Sequence, residues 1–127
     1  MKKVLNIGID VGSTTVKFVV MDKKQEILYS EYRRHFSDTK KTIKDLFNEV
    51  LEKFPKENFT LVTTGSGAIA LAKYLNVPFI QEVIACKNAI QEYAPSTDVA
   101  IELGGEDAKI IYFDQTIEQR MNGSCAG

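Results

Sequence analysis

The fold is decided by the stretch Ile7-Gly8-Ile9-Asp10-Val11-Gly12-Ser13-Thr14-Thr15-Val16-Lys17. An apolar strand ends in a carboxylate, a turn rich in Gly, Ser and Thr follows, and a second apolar strand begins. Glycine lets the backbone approach a ligand closely, and successive N–H groups in such a turn can point at phosphate oxygens. A carboxylate at the strand end can hold Mg²⁺ directly or through water. The stretch therefore predicts a hairpin that binds a phosphate-bearing ligand.

The same design occurs again in Ile101-Glu102-Leu103-Gly104-Gly105-Glu106-Asp107-Ala108-Lys109-Ile110. One glycine hairpin beside an acidic residue is usually only a turn, but two with the carboxylate at the same offset favour a ligand site. Two such hairpins facing each other would clamp a polyphosphate. Neither contains the Walker A pattern or the GxGxxG fingerprint. A third glycine segment, Gly65-Ser66-Gly67, fits either a ligand contact or a helix start packed closely on a strand.

Hydrophobic periodicity predicts the remaining elements. Apolar residues at helical spacing run from Ile43 to Phe54, and Pro55 ends the pattern. Further helices are predicted at residues 68–75 and 82–93, the latter with Val83, Cys86, Ile90 and Tyr93 on one apolar face. Strands are predicted at residues 4–10, 16–21, 26–32, 58–64, 99–103, 109–113 and 117–121. Three antiparallel strands followed by strands reached through helices predict an α/β fold, a mixed sheet with helices on its faces.

Composition restricts the function classes. The chain has 127 residues, 16 basic against 17 acidic side chains and a net charge of −1. One compact domain is expected, and the absence of a basic surplus argues against a nucleic-acid partner. No apolar run reaches the roughly 20 residues that span a bilayer, so no membrane partner and a cytoplasmic location are expected. The single histidine, His35, is predicted to lie on the surface.

With these motifs in place, the chain resembles a known superfamily. Ile7 to Lys17 resembles the first phosphate motif of the actin, sugar kinase and heat-shock chaperone ATPases, and Glu102 to Lys109 resembles their second. The ending Arg120-Met121-Asn122-Gly123-Ser124-Cys125-Ala126-Gly127 resembles the opening of the Asn-x-x-Cys-Ala-x-Gly-Thr-Gly segment of the activators of 2-hydroxyacyl-CoA dehydratases. Those activators are related to the ATPase subunits of benzoyl-CoA reductases.

The resemblance implies a fold and an activity. Residues 1–127 would form a single ribonuclease H-like N-terminal lobe, with the C-terminal lobe outside this chain. The full-length protein would be an ATPase and a homodimer that holds one [4Fe-4S] cluster between its subunits. ATP hydrolysis would drive an electron to a 2-hydroxyacyl-CoA dehydratase or a related reductase, and the isolated lobe would be inactive.

The resemblance also implies roles for individual residues. Catalysis would rest on three carboxylates: Asp10, Glu102 and Asp107. ATP would be bound by Gly12, Ser13, Thr14, Thr15, Lys17, Gly104 and Gly105. Mg²⁺ would face Asp10 and Glu102, directly or through water, and Cys125 would be an iron ligand. Glu102 departs from the Asp that most relatives carry, and Cys86 is read as a small buried hydrophobe rather than a second iron ligand.

Other functions fit parts of the pattern. A carbohydrate or small-acid kinase of the same superfamily would transfer a phosphoryl group to a hydroxyl and need no iron. A non-catalytic docking module of a longer protein would not need Asp10 at all. A nuclease shares the fold but needs carboxylates clustered from three elements, and the acidic pI argues against it.

Overall fold

The computed structural model describes residues 3–104, 107–113 and 117–123. Its strands and helices follow the order that the sequence pattern predicts. The strands are β1 (Val4–Val11), β2 (Thr15–Met21), β3 (Ile27–Arg34), β4 (Asn58–Thr64), β5 (Val99–Leu103), β6 (Asp107–Phe113) and β7 (Ile117–Gly123). The helices are α1 (Thr39–Lys53), α2 (Ile69–Leu75) and α3 (Glu82–Tyr93), and a short 3₁₀ turn (Ser66–Ala68) precedes α2.

The first four strands form a mixed sheet in the order β3-β2-β1-β4. β1 pairs antiparallel with β2, and β2 pairs antiparallel with β3. β4 returns through α1 and pairs parallel with β1. This is the α/β arrangement expected from the sequence, and it places the carboxyl ends of β1 and β4 side by side.

The core of this sheet lies on the face covered by α1. Alternate residues of β1 and β2 point to that face, and the apolar stripe of α1 packs against them. Phe18 and Phe47 meet edge to face, with ring centroids 5.1 Å apart. The buried apolar side chains are Leu5, Ile7, Ile9, Val11, Val16, Phe18, Val20, Ile43, Leu46, Val50 and Ala68. Asp10 and Lys17 therefore lie on the opposite face of the sheet.

The later strands form a second sheet. β5, β6 and β7 make an antiparallel three-stranded meander. The chain divides into two compact units, residues 1–80 with the first sheet and residues 81–127 with α3 and the second. Within the described part of the chain, no helix is both long and apolar enough to cross a bilayer.

Candidate functional site

The β1–β2 turn closes the first glycine hairpin. The backbone N–H of Gly12 donates to the carbonyl oxygen of Thr15 at 2.9 Å, which holds the loop as a tight turn. Thr15 is buried, whereas Ser13 at the tip is exposed. Buried Thr15 anchors the turn, and the exposed tip keeps its polar groups accessible to a ligand.

Asp10 and Lys17 face each other across β1 and β2. They are register partners, and Lys17 Nζ lies 3.4 Å from Asp10 Oδ2. Lys17 Nζ also lies 5.5 Å from the ring centroid of Tyr32, its partner on β3. The ion pair is partly exposed, with 43% of the Lys17 side chain and 29% of the Asp10 side chain accessible. Such a pair contributes about 1 kcal/mol or less to stability, so both groups are accessible for ligand binding.

The turn after β4 closes on the other side of Asp10. Asp10 is the register partner of Thr64, the last residue of β4. Gly65 follows with φ of 96°, and a Cβ there would lie 2.3 Å from Val11 O and 2.6 Å from Asp10 Oδ1. Only glycine fits this approach. Of the two explanations for the third glycine segment, the structure supports close packing of a helix start on a strand.

Thr64 carries an unpartnered hydroxyl beside the same carboxylate. Its Oγ1 is buried and has no hydrogen-bond partner among the described residues. A buried polar atom without a partner is rare in folded proteins and calls for a water, ion or ligand. Thr64 therefore joins Asp10 and Lys17 as a polar group at this end of the sheet.

His35 is buried, and the prediction of a surface histidine was wrong. It is 8% exposed and lies behind the first hairpin. Its Nε2 is 3.1 Å from the carbonyl oxygen of Gly12, and its backbone N–H donates to Thr14 O at 3.0 Å. The position after two arginines suggested solvent, but β3 carries the chain back beside the hairpin and encloses the ring there.

The second hairpin repeats one backbone hydrogen bond and one register pair of the first. Gly104 N–H donates to Asp107 O at 2.8 Å, as Gly12 N–H donates to Thr15 O. Glu102 is the register partner of Lys109, as Asp10 is of Lys17. Asp107 Oδ1 lies 2.8 Å from the place that a Cβ on Gly104 would occupy, so the carboxylate lies close to the Gly104 backbone. Gly105 lies outside the described residues.

Lys109 makes its ion pair with a helix instead of with its strand partner. Its ammonium group is bound by Glu82 at the start of α3, and the residue is 8% exposed. Burial would lower the pKa of Lys109, but the hydrogen bond and charge of Glu82 outweigh it. The charges of Glu102 and Asp107 raise that pKa further. Glu82 binds the ammonium group and the charges of Glu102 and Asp107 act on it, so this end of the hairpin carries surplus negative charge.

Cys86 contacts this carboxylate group. Burial raises the pKa of the Cys86 thiol, and the charge of Glu102 together with a hydrogen bond to it raises the pKa further. The half-buried thiol is therefore kept protonated beside a carboxylate, whereas the sequence suggested a small apolar side chain. The predicted apolar face of α3 is also only half-buried, and its Tyr93 is 61% exposed.

The structure thus assembles the predicted site residues in two groups. Asp10, Lys17 and the turn residues Gly12 to Thr15 lie together in the first unit. Glu102, Gly104 and Asp107 lie together in the second. Cys125 lies outside the described residues.

Three side chains of these two groups were not predicted as site residues from the sequence: Thr64, His35 and Glu82. One signal could have found Thr64, because neighbouring parallel strands end at the same edge of a sheet, where ligands bind. No local pattern marks His35 or Glu82, since both depend on contacts between distant segments.

Residues 7–127 match the BadF/BadG/BcrA/BcrD ATPase family. An uncharacterized protein of Methanocaldococcus jannaschii is 27% identical over 109 residues, which cover 86% of this chain and 43% of the relative.

Two solved structures are similar in fold, each 24% identical. Component A of the (R)-2-hydroxyglutaryl-CoA dehydratase of Acidaminococcus fermentans superposes with a TM-score of 0.81, over 98% of this chain and 49% of that one. The activator of the 2-hydroxyisocaproyl-CoA dehydratase of Clostridium difficile, solved with bound ADPNP, superposes with a TM-score of 0.73. The superposition covers 96% of this chain and 47% of that one. The chain therefore has the fold of the actin-like ATPases and spans about half the length of these proteins.

Proposed function

Since this chain belongs to the BadF/BadG/BcrA/BcrD ATPase family, we propose that it is the N-terminal lobe of an ATP-dependent activator. The activator would drive electron transfer to a 2-hydroxyacyl-CoA dehydratase or a related reductase. The observation that carries the ATP-binding part is the hairpin at Asp10, where a tight glycine turn adjoins an accessible carboxylate and an accessible ammonium group. The names of the two similar structures support the choice of partner.

The first hairpin would bind the phosphates of ATP. Gly12, Ser13, Thr14 and Thr15 offer backbone N–H groups and hydroxyls, and a turn of this kind accepts anions. Lys17 would add a positive charge, because its ion pair with Asp10 is loose enough to be shared with a phosphate.

The second hairpin would face Mg²⁺. Glu102 and Asp107 contribute to the negative surplus around Lys109, while Gly104 and Gly105 would allow close backbone contact. Three or more metal-ligand side chains do not converge in the described residues. Mg²⁺ needs no such cage, because it is usually held by one or two carboxylates together with substrate phosphates and water. Asp10 at the first hairpin, and Glu102 and Asp107 at the second, are each carboxylates of this kind.

Hydrolysis would use Asp10 to position water. The β–γ bridging oxygen of ATP leaves as the water oxygen bonds to the γ-phosphorus, giving ADP and orthophosphate. Asp10 would accept a hydrogen bond from the attacking water and thereby orient it. Bound Mg²⁺ supplies charge neutralisation on the phosphate oxygens.

The iron-sulfur cluster enters this proposal through the resemblance alone. Its ligand Cys125 lies outside the described residues. Burial and the Glu102 charge raise the pKa of the Cys86 thiol, which disfavours the thiolate that iron would need. A cytoplasmic location and a homodimer accompany the cluster in the same proposal.

An NMR titration of the ¹⁵N-labelled chain with ATP, with and without Mg²⁺, tests the first hairpin. We expect shifts at the amides of Gly12 to Thr15. Asp10→Asn should reduce the ratio of the MgATP affinity to the metal-free ATP affinity on the order of tenfold, because a charged hydrogen-bond acceptor is lost from the metal-bound complex. Asp45→Asn, which removes another carboxylate paired with a lysine, should leave that ratio unchanged. If the chemical shifts of the Gly12 to Thr15 amides do not change on addition of ATP, nucleotide binding at this turn is ruled out.

Anaerobic reconstitution of the full-length protein tests the electron-transfer part. A brown protein that loses its colour on Cys125→Ser supports the activator. A colourless protein that phosphorylates a hydroxyl substrate would instead indicate the kinase. Unchanged function in Asp10→Asn would indicate a docking module.

A further inference from the structure

His35 connects the first hairpin to the start of α1. The residue follows β3 directly and is more than nine-tenths buried. Three residues later Asp38 caps α1 by accepting a hydrogen bond from the N–H of Lys41. One buried polar side chain thus lies between the turn and the start of α1.

Both ring nitrogens of His35 are hydrogen-bonded. Nδ1 accepts from the backbone N–H of Ser37 at 3.1 Å, so it carries no proton. Nε2 is then the protonated nitrogen of the neutral ring, and it donates to the carbonyl oxygen of Gly12 at 3.1 Å. The contacts themselves therefore assign the tautomer.

The segment that holds His35 in place is strained. Phe36 and Ser37 have φ of 48° and 63°, which is uncommon for residues other than glycine. The strain is offset by the bond from Ser37 to the ring and by the bond from Asp38 N–H to His35 O at 2.7 Å. Backbone strain of this kind occurs preferentially at functional sites.

The hydrogen bond from His35 to the Gly12 carbonyl also fixes the direction of the Ser13 N–H. The peptide between Gly12 and Ser13 is planar and trans, so its C=O and N–H point in opposite directions. Because His35 holds the Gly12 carbonyl towards the protein, the N–H of Ser13 points away from it, at the exposed tip of the turn. That N–H is the kind of donor a phosphate oxygen accepts.

We propose that His35 is a positioning residue for phosphate binding, because it orients the Ser13 N–H towards the ligand through the carbonyl group of Gly12. This inference rests on the proposed binding of ATP at the first hairpin. The ligand is a nucleoside triphosphate with its metal ion, and His35 acts from behind the turn without touching it.

Two substitutions separate the two ring contacts. His35→Gln can place its amide nitrogen near the position of Nε2 and keep the donor to Gly12, while it loses the acceptor for Ser37. His35→Asn can place its oxygen near Nδ1 and keep that acceptor, while no donor reaches Gly12. Each variant loses one neutral hydrogen bond, so the two are matched in their expected cost to folding.

MgATP affinity, measured by NMR titration of the chain, is the first readout. We expect His35→Asn to weaken binding about five- to tenfold, as the loss of one oriented donor predicts, and His35→Gln to stay within about twofold of wild type. Equal affinities, or a loss confined to His35→Gln, would overturn the proposal and assign His35 to the turn before α1.

A second readout needs no nucleotide. The imidazole ¹⁵N shifts of the wild-type protein should show a proton on Nε2, and the Ser13 amide should lose order in His35→Asn but not in His35→Gln. If the wild-type protein shows no binding of MgATP, the proposed ATP site is wrong, and so is a role of His35 in binding its phosphate. The Ser13 measurement then still shows whether His35 orients the turn. A proton on Nδ1 would contradict the assignment outright, even if neither variant folds.

Discussion

Two lysines at equivalent hairpin positions have different partners. Lys17 pairs with the carboxylate across its own sheet and stays accessible, whereas Lys109 is buried and bound to Glu82 of α3. The difference arises because a helix supplies a carboxylate to the second hairpin. The charge of Glu102 acts on the thiol of Cys86 as well as on Lys109, and the two hairpins therefore differ in the charge they offer a ligand.

The reaction rate of the Cys86 thiol tests whether Glu102 acts on it. Its pKa is raised by burial and by Glu102, so the thiolate is scarce at neutral pH and grows as pH rises. We expect Cys86 to react with a disulfide reagent more slowly than a free cysteine at neutral pH. Glu102→Gln should accelerate the reaction, because it removes a negative charge beside the sulfur.

The reaction is followed in a Cys125→Ser background, so that one thiol is measured. Glu92→Gln, on the exposed side of the same helix, is the matched control and should change nothing. An unchanged rate in Glu102→Gln would disprove the contact with Cys86.

At the scale of elements, the sequence predicted the positions of helices and strands better than the burial of their faces. The pattern from Ile43 to Phe54 anticipated α1 (Thr39–Lys53), and its residues Ile43, Leu46 and Val50 are buried as expected. The pattern of α3 also predicted one apolar face, yet no residue of that helix is buried. Periodicity tells which side chains share a face, but only tertiary packing decides whether that face is covered.

The packing of α1 on the sheet gives an element-scale prediction. Leu46 is fully buried against the strands, and Leu46→Ala should lower the free energy of unfolding by about 2–5 kcal/mol through lost burial and the cavity left behind. Leu51→Ala on the same helix removes a side chain that is 50% exposed and should cost no more than about 1 kcal/mol. Urea denaturation measures both. Equal costs would contradict the assigned face of α1.

At the scale of the whole molecule, the prediction of a mixed sheet was confirmed, and the assignment of strands to sheets needed the structure. The three opening strands and the return through α1 followed from turn residues and apolar runs. The separate meander β5-β6-β7 did not, because pairing between strands is a property of distant segments that local patterns do not encode. The candidate site shows the same limit. Asp10 and the glycines were found by motif, while Thr64 and His35 came to light only through tertiary contacts.

Catalysis is the property to test on the whole chain. The 127 residues span about half the length of the similar structures. We expect the isolated chain to bind MgATP weakly and not to turn it over, since much of the surface that encloses a nucleotide in a two-lobed ATPase would lie in the other half. Calorimetry and an orthophosphate-release assay measure the two quantities. Micromolar affinity together with steady release of orthophosphate would refute this expectation.

The close approach of Gly65 to β1 has a consequence for genetic variation. Any other amino acid there would press on Val11 and on Asp10 Oδ1. On the same strand as Asp10, a Cβ on Gly8 would meet nothing within 4 Å. Codon 65 should therefore tolerate only synonymous change, while codon 8 accepts small replacements. A missense allele at codon 65 should therefore cause loss of function, although it leaves Asp10, Lys17 and the turn residues of the site unchanged.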